Sequence, residues 1–481
     1  MTVLPALAMI AGSVALASPA SATPQTLACG STVTQNTLLR ADVGPCAGTG
    51  ITIGASNITL NLNGHHVFGA LNSYGTGPVD GTDKVGIHFD SVTNSRVMNG
   101  EVSGFAAGVR IDNGSGNAVT LMNVHDNITA IHSPAENGDG ISVWNSSYNR
   151  VSHNTVTHNG EYSGISLLTG PYNAVNGVVN PAMSGTGNDI TDNVVTNNNV
   201  AVCSNATCKP AATPGVTFVR GQQIPGSNDE GIDVNGPNMT NSVVRGNYVT
   251  DSGNNGIMVN PSCHDAFLVA KAQTTCSGDV GNVGTLIQNN VADHNGYGRT
   301  TGFGINLFGM GLSKAVEGSF DTVEGNTTDH NKDGGIILYS SSCNDLANNA
   351  AAQCAAVNDT VVHNTSSFNG LSLGVNTSQG DGIEMSAGAN NNNVSHNTLI
   401  GNDSDGIGVE MAQMYDANGP VVDANGNPVY IPGSGASNNT LAHNQAMGNH
   451  YFDAEDQNPG CDHNQWVHNE FGTVNQPCVA G

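Results

Sequence analysis

The amino-acid sequence predicts an all-β fold, a single-stranded parallel β-helix, and three observations lead to it. A glycine-hydrophobic dipeptide recurs along the chain, paired asparagines recur between these dipeptides, and the composition disfavours helices. In a solenoid of this kind each sequence repeat forms one coil, and successive coils stack to build a continuous core.

The dipeptide marks the repeat. It occurs at Gly86-Ile87, Gly108-Val109, Gly140-Ile141, Gly164-Ile165, Gly231-Ile232, Gly256-Ile257, Gly304-Ile305, Gly335-Ile336, Gly382-Ile383 and Gly406-Ile407. Uninterrupted steps are 22 to 25 residues long, as from Gly86 to Gly108 and from Gly231 to Gly256. Longer steps equal one or two such units plus an insertion. Three very short strands and three turns fit a unit of this length, and each strand would pair with its equivalents about 4.8 Å above and below.

A second signature, Asn-x-(apolar)-x-x-Asn, lies inside the units. It occurs at Asn154/Asn159, Asn193/Asn198, Asn290/Asn295, Asn326/Asn331, Asn364/Asn369, Asn397/Asn402 and Asn444/Asn449. Asparagine tolerates the left-handed backbone of a sharp turn. Its side-chain amide can also both donate and accept along a stack, so the pattern predicts asparagine ladders at the corners.

The composition supports this fold and excludes some partners. The chain of 481 residues contains 62 glycines, and 10% of its residues are charged. Glycine and the plentiful Asn, Ser and Thr favour turns over helices. The 38 acidic residues exceed the 12 Lys and Arg, for a formal charge of −26. Such a charge repels nucleic acid and anionic membranes.

The first 22 residues are predicted to be a signal peptide. An apolar run, "LPALAMIAGSVALA", leads to the small-x-small site Ala20-Ser21-Ala22. Beyond residue 22 no apolar stretch approaches the roughly 18 residues that span a bilayer, so we expect a secreted protein without membrane insertion.

The ten cysteines agree with an oxidising compartment. None shows the spacing of a zinc site. They form five close pairs that we predict to be local disulfides: Cys29 with Cys46, Cys203 with Cys208, Cys263 with Cys276, Cys343 with Cys354, and Cys461 with Cys478.

The histidines divide into two groups. Nine of the 16 immediately precede asparagine, and recurrence once per coil predicts a structural corner: His153, His158, His294, His330, His363, His396, His443, His463 and His468. The other seven, among them His88, His125 and His264, have no such explanation.

A resemblance to a known group of proteins agrees with the repeat. The stretch "CGSTVTQNTLLRADVGPCAGTGITIGASNITLNLNGHHVFG", Cys29 to Gly69, resembles the N-terminal entry of secreted bacterial proteins with right-handed parallel β-helix repeats. These belong to the pectin-lyase-like superfamily, alongside NosD-like periplasmic proteins. The resemblance implies an N-terminal cap segment over 23–49, a right-handed β-helix of about 11 or 12 coils over 50–471, and a C-terminal tail over 472–481 that Cys478 staples. The superfamily contains lyases, hydrolases, epimerases, tailspikes and members without activity, so the resemblance specifies fold and leaves chemistry open.

Long insertions predict the walls of a groove on one sheet. They lie at about 169–187, 200–228, 261–280, 309–319, 340–357 and 411–437, and loops of this kind commonly carry function. Strand alternation directs the residues one and three places after each Gly-Ile isoleucine outward. A one-residue shift in register would bury them instead.

Two acidic concentrations fall on this outward pattern. The candidate catalytic residues are Glu230, Asp233, Asp381, Glu384 and Asp405, in the segments "NDEGID", "GDGIEM" and "NDSDGIGVE". Asp381 and Asp405 are equivalent residues one coil apart, so they should be neighbours about 5 Å apart. Two carboxyls that close share a proton, hold a cation, or raise one pKa. With Glu410 they form a candidate Ca²⁺ site. The simpler explanation is that Asp-Gly turns well at the start of a strand.

The candidate substrate-binding residues are outward aromatics, amides and one basic residue: Trp144, Asn235, Asn260, Phe308, Tyr339 and Arg245. Aromatic residues make up only 5% of the chain, and three of them share one outward column, which favours a carbohydrate groove. No Gly-Lys-Ser/Thr phosphate loop occurs, so no nucleotide or organic cofactor is expected.

Known motifs narrow the chemistry only partly. "NDEGID" resembles the Asn-x-Asp-Gly-Ile-Asp segment of polygalacturonases, with Glu230 in the place of their first acid. The next coil has no Asp-Asp pair and no Gly-His-Gly follows, which disfavours that activity. The predicted function is a secreted β-helix protein that acts on or binds an extended polysaccharide. Glycoside hydrolysis by carboxylates and Ca²⁺-assisted uronate elimination both stay open, as does a non-catalytic surface or matrix protein.

Overall fold

The fold is a right-handed parallel β-helix, as the repeats predict. The structure, a computed structural model, describes residues 22–70, 85–127, 139–160, 163–169, 184–198, 230–236, 238–260, 283–296, 302–309, 319–340, 356–370, 380–411, 414–416, 419–426 and 429–480. In these ranges the chain forms short strands, numbered in chain order, that stack into three faces with every long sheet parallel.

One face, here called the front sheet, stacks 13 strands. They are β2 (Ser31–Val33), β5 (Ile51–Ile53), β8 (Val85–Asp90), β10 (Ala107–Asp112), β12 (Ile141–Trp144), β15 (Ile165–Leu168), β19 (Ile232–Asn235), β23 (Ile257–Asn260), β26 (Phe303–Gly309), β29 (Gly334–Ser340), β32 (Ile383–Met385), β35 (Ile407–Val409) and β40 (Ala454–Asp456). The first lies in the segment assigned to the N-terminal cap.

The other two faces belong to one sheet of 25 strands, because β9 (Arg96–Ser103) and β11 (Ala118–His125) run through both. The first side face adds β1 (Thr23–Gln25), β3 (Thr37–Leu39), β6 (Thr59–Asn61), β13 (Arg150–Ser152), β17 (Asp189–Thr191), β21 (Val243–Arg245), β24 (Leu286–Gln288), β27 (Thr322–Glu324), β30 (Thr360–Val362), β33 (Asn393–Ser395), β38 (Thr440–Ala442) and β41 (Gln465–Val467). The second side face adds β4 (Val43–Cys46), β7 (His66–Gly69), β14 (Thr155–Thr157), β18 (Val194–Thr196), β22 (Tyr248–Thr250), β25 (Val291–Asp293), β28 (Thr327–Asp329), β31 (Thr365–Ser367), β34 (Thr398–Ile400), β39 (Gln445–Met447) and β42 (Glu470–Phe471).

The remaining elements are small. A parallel pair joins β16 (Gly185–Thr186) and β20 (Met239–Thr240), and an antiparallel pair joins β36 (Tyr415–Asp416) and β37 (Gly419–Pro420). Two 3-10 helices span Pro459–Cys461 and Pro477–Ala480. In the part of the chain that the structure describes, no helix has the length and apolar character to cross a membrane.

The core is a stack of aliphatic side chains from all three faces. In the front sheet the residue after each repeat glycine pairs with its equivalent, as Ile141, Ile165 and Ile232 do in turn, and each is fully buried. Every coil therefore presents the same inward positions, and removal of this apolar surface from water is the main driving force for folding.

The predicted asparagine ladders run along the corners. In one ladder each side-chain amide donates to the carboxamide oxygen of the next rung, at 2.9–3.1 Å, through Asn154, Asn193, Asn247, Asn290, Asn326, Asn364, Asn397, Asn444 and Asn469. A second ladder links Asn295, Asn331, Asn369, Asn402 and Asn449. All of these rungs are buried except Asn449 and Asn469, which are half-buried, and their hydrogen bonds satisfy polar groups that would otherwise destabilise the core.

The corner conformation differs from the prediction in one respect. The left-handed residue is the histidine that precedes the asparagine: all nine histidines of the His-Asn pairs have φ between 51° and 65°. Ladder asparagines such as Asn154 and Asn159 follow it and are absent from the left-handed positions. Asparagine is needed at the corner for its amide, and the turn is made one residue earlier. The histidines are confirmed as structural elements, and four of their rings form a row from His363 to His468 with neighbouring ring centroids 4.9–5.2 Å apart.

Two of the predicted disulfides are present. Cys29 bonds to Cys46, and Cys461 bonds to Cys478 near the two ends of the solenoid. The pairs 203/208, 263/276 and 343/354, like the predicted signal peptide up to residue 21, lie outside the described residues.

Candidate functional site

The outer surface of the front sheet carries one continuous column of residues, one per coil. Strand pairing aligns Arg110, Ser142, Ser166, Asp233, Met258, Asn306, Ile337, Glu384, Gly408 and Glu455. From Arg110 to Gly408 the neighbours on either side in each strand belong to the hydrophobic core, and the column residues do not. The predicted register is therefore correct. At about 4.8 Å per coil, Arg110 and Glu384 lie roughly 34 Å apart.

The predicted insertions leave or enter the chain at the ends of these front strands. β15 ends at Leu168, β23 at Asn260 and β35 at Val409, each just before an insertion, and the insertion at 200–228 precedes β19. Apart from parts of 169–187, 309–319, 340–357 and 411–437, the insertions lie outside the described residues. Their points of attachment flank the outer column on both sides.

Six carboxyl groups gather near the C-terminal end of the column and are called the acidic cluster: Asp333, Asp381, Glu384, Asp405, Glu410 and Glu455. Burial raises the pKa of Asp381 to about 7, of Glu384 to about 8 and of Asp405 to about 9. Repulsion adds to burial: the charge of Asp381 raises the pKa of both Glu384 and Asp405. Such shifts move acids toward protonation at neutral pH, where they can donate protons.

Asp381 and Asp405 are neighbours on consecutive coils, as predicted. The backbone N–H of Asp405 donates to Asp381 Oδ1 at 2.9 Å, and the N–H of Phe452 donates to Asp405 Oδ1 at 2.8 Å. These bonds give both carboxyls a structural role at the start of their strands. The other oxygen of Asp381 lies over Gly408, where any side chain would collide with it. Glycine in the outer column thus leaves room for the Asp381 carboxyl.

Glu384 and Glu410 complete the middle of the cluster. Glu384 is 6% exposed and accepts a hydrogen bond from Ser386 Oγ at 2.9 Å. Burial raises the pKa of Glu410 well above its ordinary value, and Glu384 and Asp381 raise it further. Burial also raises the pKa of Tyr430, as do the charges of Glu410 and Glu455.

Positive charge is scarce around the cluster. Burial raises the pKa of Asp333 to about 6, and Lys332 lowers it through space. Within the described ranges none of the six carboxyls forms an ion pair with Lys, Arg or His. Isolated buried carboxylates are costly, so the cluster lowers its free energy by holding protons.

The Ca²⁺ site predicted at Asp381, Asp405 and Glu410 stays a prediction. Among the described residues, the group whose ligand atoms all lie within 4.8 Å of one another is a different one, His66, Glu101 and His125. One oxygen each of Asp381 and Asp405 is also engaged by a backbone N–H.

The second predicted acidic concentration lies four coils away. Glu230 is buried, and its Oε1 accepts hydrogen bonds from Asn254 and Asn255, both at 3.1 Å. Burial raises the pKa of Asp233 to about 7, against the lowering effect of a hydrogen bond from Asn235. Asp233 and Glu384 are roughly 19 Å apart along the column, so the two concentrations cannot act on one bond.

Several polar atoms on the front sheet, from one coil before Asp233 toward the acidic cluster, are buried and unsatisfied. Ser166 Oγ, Asp233 Oδ1 and Asn306 Oδ1 lie in the outer column, and Asn260 Oδ1 lies two residues further along its strand. None has a hydrogen-bond partner in the described part of the chain. Native proteins leave few such groups unpaired, and those that remain require an explanation.

A basic patch occupies the N-terminal end of the column. Asp112 accepts hydrogen bonds from His88 Nε2 and Arg110 Nε, both at 2.8 Å. Burial alone would raise the pKa of Asp112, but the His88 bond and the charge of Arg110 lower it. The Arg110 guanidinium lies 4.9 Å above the Trp144 ring, a cation–π contact. Trp144 is 3% exposed, so it lies on the predicted face but under Arg110.

The other predicted binding residues are divided between faces. Asn235 and Asn260 are paired and half-buried on the front sheet, and Phe308 is paired with half-buried Tyr339. The side chain of Phe308 lies outside the described residues. Arg245 is exposed at the end of β21 on the first side face. The structure therefore does not bring Arg245 to this groove. The Gly-Ile dipeptide marks strands of the front sheet, and the strand of Arg245 has no such dipeptide.

Sequence reasoning missed two members of the acidic cluster. Glu455 pairs with Gly408, but its coil begins with Asp453-Ala454 and lacks the Gly-Ile dipeptide that marked the others. Asp333 precedes the glycines of its coil by one residue. The Asp-x-x-Glu spacing of Asp381 and Glu384 was the signal that pointed to this end of the column.

No family model matches the chain, and no curated protein matches it. Among solved structures, the chain is similar to the Dettilon tailspike protein at 17% identity and TM-score 0.49, over 90% of this chain and 62% of that one. It is similar to the catalytic domain of a GH87 alpha-1,3-glucanase at 14% identity and TM-score 0.49, over 93% and 64%.

A third similar structure is the A-module of the Azotobacter vinelandii mannuronan C-5 epimerase, at 13% identity and TM-score 0.43, over 88% of both chains. The chain spans less than two thirds of the tailspike and glucanase chains. At these identities the likeness concerns the fold. By its own strand pairing the chain is a parallel β-helix.

Proposed function

We propose that this protein is a secreted polysaccharide hydrolase whose substrate lies along the outer column of the front sheet and is cleaved at the acidic cluster. The observation that carries the proposal is the column itself. Buried polar atoms without protein partners lead directly to carboxyls with raised pKa values. Sugar hydroxyls both donate and accept hydrogen bonds, so an extended glycan can pair with these atoms.

The acidic cluster supplies the two roles that glycoside hydrolysis requires. Glu384, with a pKa of about 8, holds a proton at neutral pH and donates it to the glycosidic oxygen as the bond to the anomeric carbon breaks. Asp381 has a lower pKa, about 7, and a backbone N–H that stabilises its charged form. It supplies the second carboxylate, the base or nucleophile through which water adds to the anomeric carbon. Where the surroundings of two carboxyls separate their pKa values, the group with the higher pKa acts as the acid and the other as the base or nucleophile.

The test is incubation of residues 23–481 with homogalacturonan, alginate, and α- and β-glucans, with calcium present or chelated. Released reducing ends and the ultraviolet absorbance of unsaturated uronate are followed together. We expect reducing ends without absorbance, and a loss of roughly 10²–10⁴-fold in the Glu384→Gln variant. Asp329→Asn, a matched change on the second side face, should leave turnover unaltered.

Other outcomes would replace the proposal. Absorbance that requires calcium would establish elimination, the alternative chemistry. Binding to a polymer without either product would establish a non-catalytic β-helix, a surface or matrix protein. Turnover unaffected by Glu384→Gln would move the reaction away from the acidic cluster.

A further inference from the structure

Three side chains on the second side face converge away from the proposed groove. His66 on β7 pairs directly with Glu101 on β9, and His125 lies one coil further, on β11. Glu101 Oε1 is 3.4 Å from His66 Nε2 and 2.9 Å from His125 Nε2. Two imidazole nitrogens from different coils thus approach the same carboxylate oxygen.

Strand alternation holds these side chains outward. The residues between and beside them, Val67, Val102 and Val124, are fully buried in the core. The three polar side chains retain 21–38% exposure, so they are partly desolvated and still reachable from solvent. Both histidines lie within strands and differ in this from the nine left-handed corner histidines.

A second layer of contacts fixes the imidazole orientations. His125 Nδ1 lies 2.8 Å from Asp126 Oδ2, which directs Nε2 toward Glu101. On the ligand side, His66 Nε2 also lies 2.9 Å from Ser103 Oγ, and Ser103 is the strand partner of His125, so the Ser103 hydroxyl lies beside the three ligand atoms. A carboxylate on the far nitrogen of a ligating histidine is the usual support of a metal site, because it fixes the tautomer and increases basicity.

The spacing matches a small tetrahedral cation. Zinc binds histidine nitrogen and carboxylate oxygen at about 2.0–2.2 Å, so two of its ligand atoms lie about 3.3 Å apart. The observed separations of 2.9 and 3.4 Å bracket that value, and all three ligand atoms lie within 4.8 Å of one another.

We propose that His66, Glu101 and His125 form a site for a divalent transition-metal cation of the Zn²⁺ class, with two imidazole nitrogens and one carboxylate oxygen as protein ligands. Three protein ligands leave the fourth position to water or to Ser103 Oγ. The cation takes the place of the protons that hold His66 and His125 against Glu101. It joins three consecutive coils, β7, β9 and β11, near the N-terminal end of the solenoid.

The test is titration of the full mature chain, treated with a chelator and dialysed, with ZnCl₂ in a calorimeter. Bound zinc is counted by elemental analysis. We expect one tightly held Zn²⁺ per chain. Co²⁺ at the same site should give the intense visible bands of tetrahedral coordination, and both ions should raise the unfolding temperature of the wild-type chain by mass action.

Matched variants separate this site from other histidines. His66→Gln, Glu101→Gln and His125→Gln should each weaken Zn²⁺ binding at least tenfold, and Asp126→Asn should weaken it about tenfold. His443→Gln removes one ring of the stacked corner histidines, and Glu324→Gln removes one carboxylate from the first side face. Neither change should alter the affinity or the cobalt spectrum.

Unfolding midpoints without metal show whether each variant still folds. If His125→Gln is unstable, the test uses Glu101→Gln instead, because glutamine keeps the shape of the glutamate side chain. Absence of saturable binding would overturn the proposal. So would binding that survives Glu101→Gln and is lost in His443→Gln, because the corner histidines would then hold the metal and the three residues would be a hydrogen-bonded cluster only.

Discussion

The corners and the front sheet of this molecule both bury polar side chains, but they differ in how those side chains are hydrogen-bonded. At the corners, Asp321 and Asp359 replace asparagine in a ladder. The backbone N–H of Thr285 donates to Asp321 Oδ1 at 2.7 Å, and that of Asp321 donates to Asp359 Oδ1 at 2.9 Å. On the front sheet, Ser166 Oγ, Asp233 Oδ1 and Asn306 Oδ1 have no partner among the described residues.

Both regions contain carboxyls with raised pKa values, so the shift alone does not identify a functional site. Burial raises the pKa of Asp359 to about 8, as it does for Glu384. The difference lies in the hydrogen bonds. Asp359 bonds to the coils on either side through its Oδ1 and its backbone N–H, and only its Oδ2 lacks a partner among the described residues. The unsatisfied atoms of the column lie on the outer face of the front sheet, where a substrate can reach them.

The largest effect should come from breaking a ladder. Asn326 accepts bonds from the backbone N–H and side-chain amide of Asn290, and donates to Asn364 and to the carbonyl of Ile287. Asn326→Ala leaves several buried groups unpaired, each at about 1–3 kcal/mol. We expect at least about 3 kcal/mol of lost stability in urea unfolding. A loss below about 1 kcal/mol would show that the ladders do not stabilise the solenoid.

A comparable effect, on activity and not on stability, should follow from filling the gap at Gly408. A side chain there would collide with the Asp381 carboxyl. Gly408→Ala should lower the rate of polysaccharide hydrolysis about 100-fold, equivalent to about 2.7 kcal/mol, with an unfolding midpoint near that of the wild type. Unchanged turnover would mean that the position of Asp381 is irrelevant to the reaction.

The third prediction concerns the pH dependence of stability. Asp359 has a raised folded-state pKa of about 8 against an ordinary value of 3.8, so the folded chain holds this proton more tightly than the unfolded chain. Stability is therefore lost as pH rises from about 4 to about 8 and then levels off.

Asp359→Asn removes that contribution and supplies a neutral amide like that of Asn392, the next rung. Relative to the wild type, the variant should gain a few kcal/mol of stability as the pH rises from 5 to 8.5. Urea midpoints of both proteins at the two pH values measure the difference. The same difference between variant and wild type at both pH values would mean that the proton is held elsewhere, and Asp321 is the nearest carboxyl whose pKa burial also raises.

The smallest effect on stability should come from an asparagine in the outer column, in contrast to the ladder residue Asn326. Asn306→Ala removes an amide whose oxygen already lacks a partner. The free energy of unfolding should therefore change by less than about 1 kcal/mol. The same variant should weaken polysaccharide binding, measured by affinity electrophoresis. Strong destabilisation would show that Asn306 supports the fold and would remove it from the proposed groove.

The contrast also explains what the sequence could predict. Regular repeats determine register, because each buried Ile or Val of a coil must lie over its equivalent, so the outer column and the neighbouring Asp381 and Asp405 were predictable. The left-handed histidines were not, because the His-Asn pair records which two residues form a corner and not which of them turns the backbone.

Other features depended on positions that the repeat does not mark. Arg245 was placed in the groove although its strand belongs to a side face. Glu455 was missed because its coil lacks glycine before the first inward residue. His66, Glu101 and His125 come together through β7, β9 and β11, where a gap in the repeat at 71–84 hides which coils are adjacent.

The ladders make this protein modular in length. Each rung bonds to the rungs directly above and below and to backbone carbonyls of its own or the preceding coil, so a whole coil can be inserted or removed without rearranging the others. The distance between Asp233 and Glu384 can therefore change only in steps of about 4.8 Å, close to the length of one sugar residue. A duplicated coil would add one such step to the groove, and evolution could match the groove to a longer glycan without altering the acidic cluster.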